Sequence, residues 1–282
     1  MVSEKKWAIS SNEYIQRLRS EDPDRKPEVT LGDENRRGAQ LTLCGITWDA
    51  ISLTNISGTP VERARHRYRE SLPDLIWNAA ALEGNTFTLP EVRTLLDGVT
   101  VGGHRTADEQ QILALSEAYS RLDKKVGSGE YHLSKVVSDE LHKIVAVHEA
   151  IESGHFRGQG SVSGGGTVRL ASGGIAPGID AGANGEVLIE KYMNLLDYLG
   201  TLADPRERAL AYFAAATRAQ LYFDGNKRTA RLMMTGELMS HGFDAVSIPY
   251  ARKLEYNVAL DRLFQVNDGT ELMQFLASCA IG

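Results

Sequence analysis

The residues best suited to chemistry lie in one short stretch, residues 220–231, which reads QLYFDGNKRTAR. The alanine-rich segment before it predicts a closely packed helix, and a new helix is expected to begin at Asp224 or Gly225. The first backbone amides of a helix have no partner within the helix and lie at the positive end of its dipole. Because glycine lets a phosphate approach the backbone closely, the amides of Gly225, Asn226 and Lys227 predict an anion-binding site.

Two arginines strengthen this prediction. Arg228 and Arg231 are three residues apart, so both are expected on one face of the new helix, where their guanidinium groups can grip phosphate oxygens. Asp224 beside them is suited to a magnesium ion that bridges the same phosphates. Together these residues favour a nucleoside triphosphate as the ligand. The alternative is an ordinary helix start with solvated basic side chains, and the stretch lacks the glycine spacing of a Walker A loop.

The composition of the chain excludes several classes of protein. Its 282 residues are 42% apolar and 24% charged, as in soluble globular proteins. No apolar run approaches the about 18 to 20 residues that cross a bilayer. The net charge of −6 argues against direct binding to nucleic acid. Two cysteines, Cys44 and Cys279, give no disulfide framework, and residues 1–10 lack the features of a secretory signal, so we expect a cytoplasmic protein.

Helix signals recur from Pro60 onward and predict a mainly α-helical protein. Thr88 with Glu91, and Thr106 with Glu109, have the spacing of a capping box, in which the two side chains satisfy free backbone amides at a helix start. We predict helices over residues 61–70, 74–82, 88–98, 106–122, 134–151, 186–199, 205–220, 226–241, 254–265 and 271–279.

The first 59 residues are predicted to form an N-terminal arm and a peripheral segment. Residues 4–37 carry many charges of both signs and few apolar side chains, so they can bury little surface and are expected to be mobile or peripheral. Residues 41–56 are richer in apolar types, and we expect them to pack on the main domain.

A glycine-rich segment interrupts the helical pattern at residues 154–185. Helix there would cost about 1 kcal/mol per glycine relative to alanine, so the segment is expected to be irregular. Residues 159–168 and 169–175 can pair as a short hairpin. A long mobile surface loop is the alternative, and loops of this length in compact domains are more often functional or disordered than neutral.

Residues 220–231 resemble the motif of the Fic family, which reads His, any residue, Phe, any residue, Asp or Glu, Gly, Asn, Gly or Lys, Arg, two residues, Arg. The positions from Asp224 to Arg228 match, as does the final Arg231, and Tyr222 is an aromatic stand-in for Phe. The first position departs from the motif, because Gln220 replaces the histidine. The similarity extends from near Leu72 to the C-terminus.

A second resemblance lies upstream of the motif. Residues 79–85 are similar to the family's inhibitory helix, which reads Ser or Thr, three residues, Glu, then Gly or Asn. Glu83 and Gly84 match, whereas Ala79 replaces the hydroxyl residue. The resemblance implies that Glu83 pairs with Arg231 and restrains the protein by occupying a guanidinium group that orients the terminal phosphate. An exposed carboxylate at a helix end is the alternative for Glu83.

The resemblance implies a Fic-type helical domain over residues 60–282, with an inhibitory helix at 73–84 and a β-hairpin flap at 157–176. Such a domain binds ATP with magnesium and transfers AMP to a Ser, Thr or Tyr hydroxyl of a target protein, which the flap docks as an added strand. No membrane partner is implied, and a homo-oligomer is left open. The residues carried over are Asp224 for magnesium, Gly225, Asn226 and Lys227 for phosphates, and Arg228 and Arg231 for the outer phosphates.

Gln220 is expected to impair AMP transfer without impairing nucleotide binding. In the family, the histidine at this position takes the proton from the attacking hydroxyl, which the amide of Gln220 cannot do because it does not titrate near neutral pH. Losing a general base costs about a hundred- to ten-thousand-fold in rate. The phosphate site is expected to survive, so we predict a Fic protein whose adenylyltransferase activity is lost or weak, through natural drift or through deliberate replacement of the histidine.

Three other interpretations stay open from the sequence. In the first, another group serves as the base, with His155 at the flap entrance as a candidate. In the second, the chain is a protein-binding or regulatory scaffold that uses the groove under the flap without catalysis. In the third, Glu83 orients a water molecule that removes AMP, although the missing histidine argues against an efficient hydrolase.

Overall fold

The structure is a computed structural model that describes residues 46–281 and the backbone of Arg36–Arg37. This part of the chain contains ten α-helices, which confirms the prediction of a mainly helical protein. No helix in it has the length and the apolar character that a membrane crossing requires. The helices are α1 (Val61–Glu70), α2 (Leu72–Leu82), α3 (Leu89–Leu96), α4 (Thr106–Gly127), α5 (Lys135–Val145), α6 (Glu186–Thr201), α7 (Pro205–Ala219), α8 (Asn226–Ser240), α9 (Lys253–Val266) and α10 (Thr270–Ala277).

Two short antiparallel strand pairs accompany the helices in the described part of the chain. β1 (Arg36–Arg37) pairs with β2 (Trp48–Asp49). β3 (Thr167–Arg169) pairs with β4 (Ile175–Pro177) to form a hairpin between α5 and α6. The hairpin predicted for the glycine-rich segment is therefore present.

The predicted bounds of the hairpin strands were wrong. We expected the strands at residues 159–168 and 169–175, but residues 170–174 form the turn between them. The amide of Leu170 donates to the carbonyl of Gly174 at 2.9 Å, and Gly173 lies between them with φ at +93°. Because glycine adopts positive φ without strain, the turn closes there and the strands shorten to three residues each.

Helices α7 and α8 form the centre of the fold. Between Ala209 and Ala219, all side chains of α7 except that of Arg218 are buried, and α8 is buried along almost its whole length. Helices without a polar face belong in the interior of a protein. A Cβ at Gly236 of α8 would lie 2.2 Å from the ring of Tyr131, so glycine is required for this close packing. The packing holds the turn between the two helices in a fixed position.

One of the two predicted capping boxes is confirmed. The amide of Thr88 donates to Oε2 of Glu91 at 2.7 Å at the start of α3. The box predicted at Thr106 was wrong, since Thr106 is already helical and Arg105 precedes it as the cap. The Arg105 guanidinium bonds the Asp108 carboxylate at 2.8 Å and holds this first turn instead.

Helix α5 ends earlier than predicted. We expected helix to residue 151, but α5 stops at Val145 and residues 146–149 and 151–154 form turns. The apolar periodicity that suggested a longer helix came from Val147 and Ile151, which are 50% and 69% exposed. The turn directs Glu149 towards the site described below.

The described N-terminal residues pack on the helical domain. Ile46, Trp48 and Ile56 are buried, and the indole of Trp48 donates to Oε1 of Glu207 at 2.9 Å. The packing expected for residues 41–56 is thus confirmed for residues 46–56. Most of the predicted arm at residues 4–37 and residues 41–45, with Cys44, lie outside the described residues.

Candidate functional site

A cavity of about 510 Å³ opens at the start of α8, between the β3–β4 hairpin and α9. Seven of the residues singled out in the sequence line it, whereas Arg231 does not. The hairpin and α9 supply most of the other walls. The seven lining residues are Glu83, Gln220, Asp224, Gly225, Asn226, Lys227 and Arg228.

The turn between α7 and α8 has a strained start and a fixed shape. Gln220 ends α7 in the left-handed conformation, with φ at 52°, and Gly225 precedes α8 with φ at 70°. A left-handed residue other than glycine costs about 1 to 3 kcal/mol and persists where its surroundings hold it, commonly at functional sites. Here the Arg157 guanidinium holds the carbonyl of Gln220 at 2.6 Å.

Asn226 holds the turn with its side chain. Its Oδ1 accepts from the amide of Tyr222 at 2.8 Å, and its Nδ2 donates to the carbonyl of the same residue at 2.8 Å. The contribution expected from Asn226 to an anion site is therefore its backbone amide, since its side chain is engaged in the turn. Its Nδ2 also lies 3.2 Å from Oε1 of Gln220, whose own Nε2 donates to the carbonyl of Thr217.

His142 supports the turn from α5. Its Nδ1 accepts from the amide of Gly154 at 2.8 Å, so its Nε2 carries the proton that is donated to the carbonyl of Asp224 at 2.9 Å. The ring stacks on Tyr222 with the centroids 3.6 Å apart. Burial lowers the pKa of His142 to about 4, so the ring is neutral at physiological pH. His142 was not predicted as part of the site.

Glu83 reaches the site from the end of α2, but its partner differs from the prediction. Its carboxylate pairs with Nζ of Lys227 at 3.0 Å, and the expected pair with Arg231 is not formed. All three guanidinium nitrogens of Arg231 are buried without a hydrogen-bond partner. Burial alone would raise the pKa of Glu83, but the positive charges of Lys227, Arg231 and Arg228 outweigh it and lower that pKa.

The two arginines of the motif do not converge on one point. Arg228 is 4% exposed, and both of its terminal nitrogens bond the carboxylate of Glu149, with Nη1 at 2.9 Å from Oε1. Arg231 is 3% exposed and does not line the cavity, so the role expected for its guanidinium group in phosphate binding stays a prediction. Glu149 was missed, because it sits in a region predicted to be helical.

Asp224 presents its carboxylate at the cavity. The side chain is 59% exposed, and its Oδ1 accepts from the amide of Gly225 at 2.5 Å. Within residues 46–281, no group of three or more His, Cys, Asp or Glu side chains is arranged to hold a metal ion. His155, the candidate for an alternative base, is exposed and does not line the cavity.

Arg157 anchors the base of the hairpin to the turn. Its guanidinium donates to the carbonyls of Gly164, Gly165 and Ile179 as well as Gln220, at 2.6 to 3.2 Å. Gly164 and Gly165 precede the hairpin in the chain, and Ile179 follows it. Burial lowers the pKa of Arg157 from its ordinary high value. The residues on both sides of the hairpin are therefore bonded to the site through Arg157, in contrast to the mobile surface loop that the sequence left as an alternative.

Asp261 of α9 anchors the hairpin tip. Its carboxylate accepts from the amides of Ala171 and Ser172 at 3.0 and 2.7 Å. We expect Asp261→Asn to speed hydrogen exchange of these two amides about tenfold or more, because hydrogen bonds to a charged acceptor contribute about 1.5 to 3 kcal/mol. Hydrogen exchange read by mass spectrometry or NMR measures this. Glu271→Gln at the exposed start of α10 is the control, and equal exchange in both variants would contradict the role of Asp261.

The chain is similar to proteins described as protein adenylyltransferase Fic. It is 28% identical over 236 residues to the one from Drosophila erecta, which is 82% of this chain and 44% of the relative. It is 26% identical over 203 residues to protein adenylyltransferase fic-1 of Caenorhabditis briggsae, which is 70% of this chain and 37% of that relative. The chain thus spans less than half the length of these curated relatives. No family model matches it.

Solved structures share the fold. A fragment of Fic-1 from Caenorhabditis elegans superposes with a TM-score of 0.62 at 21% identity, covering 80% of this chain and 64% of that one. A signaling protein with a Fic domain from Bacteroides thetaiotaomicron gives a TM-score of 0.63 at 21% identity, covering 80% of this chain and 88% of the other. The arrangement of helices around the cavity is therefore one that has been solved before.

Proposed function

We propose that the chain is a Fic-family protein that binds ATP at the start of α8, because its curated relatives are Fic adenylyltransferases and solved Fic-domain structures share its fold. The observation that carries the proposal is the cavity at this helix start, lined by Gly225, Asn226 and Lys227. Backbone amides at the positive end of a helix dipole stabilise bound phosphate. Because the amide of Gly225 donates to Asp224, the amides of Asn226 and Lys227 are proposed to bind it. The cavity of about 510 Å³ is within the range of small-molecule sites, so the nucleoside can occupy it together with the phosphates.

The residues present fit magnesium at one position. Magnesium prefers oxygen ligands and is commonly held by one or two carboxylates together with substrate phosphates and water. Asp224 offers one exposed carboxylate beside the amides, and phosphate oxygens and water would complete the shell. Bound there, the ion would neutralise charge on the phosphates. Asp224 also accepts from the amide of Gly225, which orients the carboxylate before any ion binds.

The proposed reaction is AMP transfer from ATP to a Ser, Thr or Tyr hydroxyl of a target protein, at a low rate in this sequence. The hydroxyl oxygen forms a bond to the α-phosphorus, pyrophosphate leaves, and the hydroxyl proton is lost to solvent. Gln220 stands where a proton acceptor is needed, and its amide is bonded to Thr217 and Asn226. Without a base, the attacking hydroxyl keeps its proton until late in the reaction, and the rate falls by about a hundred- to ten-thousand-fold. The β3–β4 hairpin offers backbone for a target strand, a mode of docking with little demand on side chains.

Glu83 is proposed as a restraint on this site. It lies on the cavity wall and pairs with Lys227, and its charge also acts on Arg231 behind it. A terminal phosphate would compete with the carboxylate for the same positive charges. The restraint first expected through Arg231 is thus proposed to act mainly through Lys227.

A scaffold function without catalysis is the second candidate. The observation in its favour is that both cationic side chains lining the start of α8 already have carboxylate partners within the protein, Lys227 with Glu83 and Arg228 with Glu149. In that case the groove under the hairpin would bind a protein segment, and nucleotide would be absent or structural.

Calorimetry with ATP and magnesium tests the proposal. We expect Glu83→Gly to bind about tenfold more tightly than the natural sequence, and Arg228→Ala to bind about tenfold more weakly, because a hydrogen bond to a charged group is worth about 1.5 to 3 kcal/mol. Arg121→Ala on the exposed side of α4 is the control. No heat at millimolar ATP from either the natural protein or Glu83→Gly would contradict nucleotide binding and favour the scaffold.

A further inference from the structure

The guanidinium group of Arg228 is held by a carboxylate that the motif does not contain. Both Nη atoms bond Glu149, one to each carboxylate oxygen, in the bidentate geometry that also suits phosphate. Arg228 is 4% exposed although it contributes to the cavity wall. Its terminal nitrogens are thus already directed at an anion supplied by the protein itself.

Glu149 is held in place for this contact. It lies in the turns that follow α5, where its amide donates to the carbonyl of Ala146 at 3.1 Å. Nε2 of Gln111 on α4 donates to its Oε1 at 2.8 Å, and its side chain is 24% exposed. An orienting hydrogen bond of this kind lowers the entropy lost when the ion pair forms, so the pair is stronger than a surface contact between two free side chains.

The contact is separate from the one made by Glu83. Glu83 comes from the end of α2 and pairs with Lys227, whereas Glu149 comes from the far end of α5 and pairs with Arg228. Burial would raise the pKa of Glu149, but its hydrogen bonds with Arg228 and the charge of that group lower it, so the carboxylate is ionised at neutral pH. Besides Asp224, whose Oδ1 lies 3.5 Å from Nη2 of Arg228, the start of α8 is therefore approached by two carboxylates from other elements, each on a different cation.

We infer that Glu149 is a second restraint on the anion site, distinct from Glu83, and that a triphosphate must displace its carboxylate from Arg228 in order to bind. The inference rests on the proposed anion site but not on the identity of the nucleoside or on transfer. Glu149 would lower the affinity of the site for phosphate, since its carboxylate and a phosphate compete for the guanidinium group of Arg228.

Inorganic tripolyphosphate with magnesium is the probe, measured by calorimetry against the natural protein, Glu149→Gln, Glu83→Gln and the double variant. We expect about tenfold tighter binding for Glu149→Gln, because the neutral amide keeps the shape but loses the charge-assisted bond. For the double variant we expect tighter binding than for either single variant, but not the simple product of the two effects, because Glu83 also acts on Arg228 and on Glu149. Glu130→Gln, an exposed position that removes the same charge, is the control and is expected to match the natural protein.

Unchanged or weaker binding by Glu149→Gln overturns the inference, because a carboxylate that only supports Arg228 would lower affinity when removed. A gain that appears only when Glu83 is also replaced overturns the inference that Glu149 restrains the site on its own. Absence of tripolyphosphate binding by all four proteins overturns the inference together with the anion site. If Glu149→Gln gains affinity for tripolyphosphate but ATP binds no better than tripolyphosphate, the inference stands and the proposed nucleotide function fails.

Discussion

Replacing Gln220 by histidine together with Glu83 by glycine is expected to raise AMP transfer at least about a hundredfold over Glu83→Gly alone, since a positioned general base contributes about a hundred- to ten-thousand-fold. A neutral imidazole has a free lone pair near pH 7. The left-handed backbone at position 220 suits histidine, which is among the residues enriched there. Incorporation of labelled AMP into the protein itself, or into proteins added from an extract, measures the gain.

The matched control is Gln220→Asn with Glu83→Gly. Asparagine tolerates the left-handed conformation and has the same functional group as glutamine, so it changes side-chain size without supplying a base. Labelling by the histidine variant that does not exceed labelling by the asparagine variant would contradict the proposed transferase and favour the scaffold. If the histidine and asparagine variants bind ATP equally, a difference in their labelling reports the effect of the base alone.

Acid is expected to destabilise the fold through His142. Its pKa is about 4 in the folded protein against an ordinary value of 6.5, so the stability it contributes is complete above pH 6.5 and is lost progressively as the pH falls towards 4. The difference corresponds to about 3 kcal/mol of unfolding free energy, at about 1.4 kcal/mol for each pH unit. Protonation of Nδ1 would also remove the acceptor for the amide of Gly154. Urea unfolding at a series of pH values measures the loss.

The variant His142→Gln tests this assignment. Glutamine can donate and accept as neutral histidine does, but it does not titrate, so its unfolding free energy should change less between pH 6.5 and 4 than that of the natural protein. His132→Gln, at an exposed position, is the control and should keep the natural acid dependence. Identical pH dependence in His142→Gln and the natural protein would show that other groups cause the acid sensitivity.

Local sequence patterns predicted the helices well, because capping and periodicity are properties of neighbouring residues. The start of α8 at Asn226 and the capping box at Thr88 are examples. The end of α5 was placed too late, since Val147 and Ile151 continue an apolar period although both are exposed. Periodicity alone does not show where a chain leaves a helix to make a tertiary contact. Here that contact is the ion pair of Glu149 with Arg228.

The partners of the site were harder to predict than its location. Glu149 is 79 residues from Arg228 in the chain, and Asp261 is 90 residues from Ala171. Such pairs depend on how helices pack, and no local spacing indicates them. The partner of Glu83 differs for a related reason: the family resemblance implied Arg231, but Lys227 is the residue that reaches the end of α2.

The β3–β4 hairpin is held by more hydrogen bonds at its base than at its tip. At its base, one guanidinium joins four carbonyls, including that of Gln220, whereas at its tip one carboxylate holds two amides. Because the tip has two such bonds and the base has four, we expect the tip to separate from α9 more readily than the base separates from the motif. A strand entering the groove would therefore find a more variable spacing at the hairpin tip than at the hairpin base.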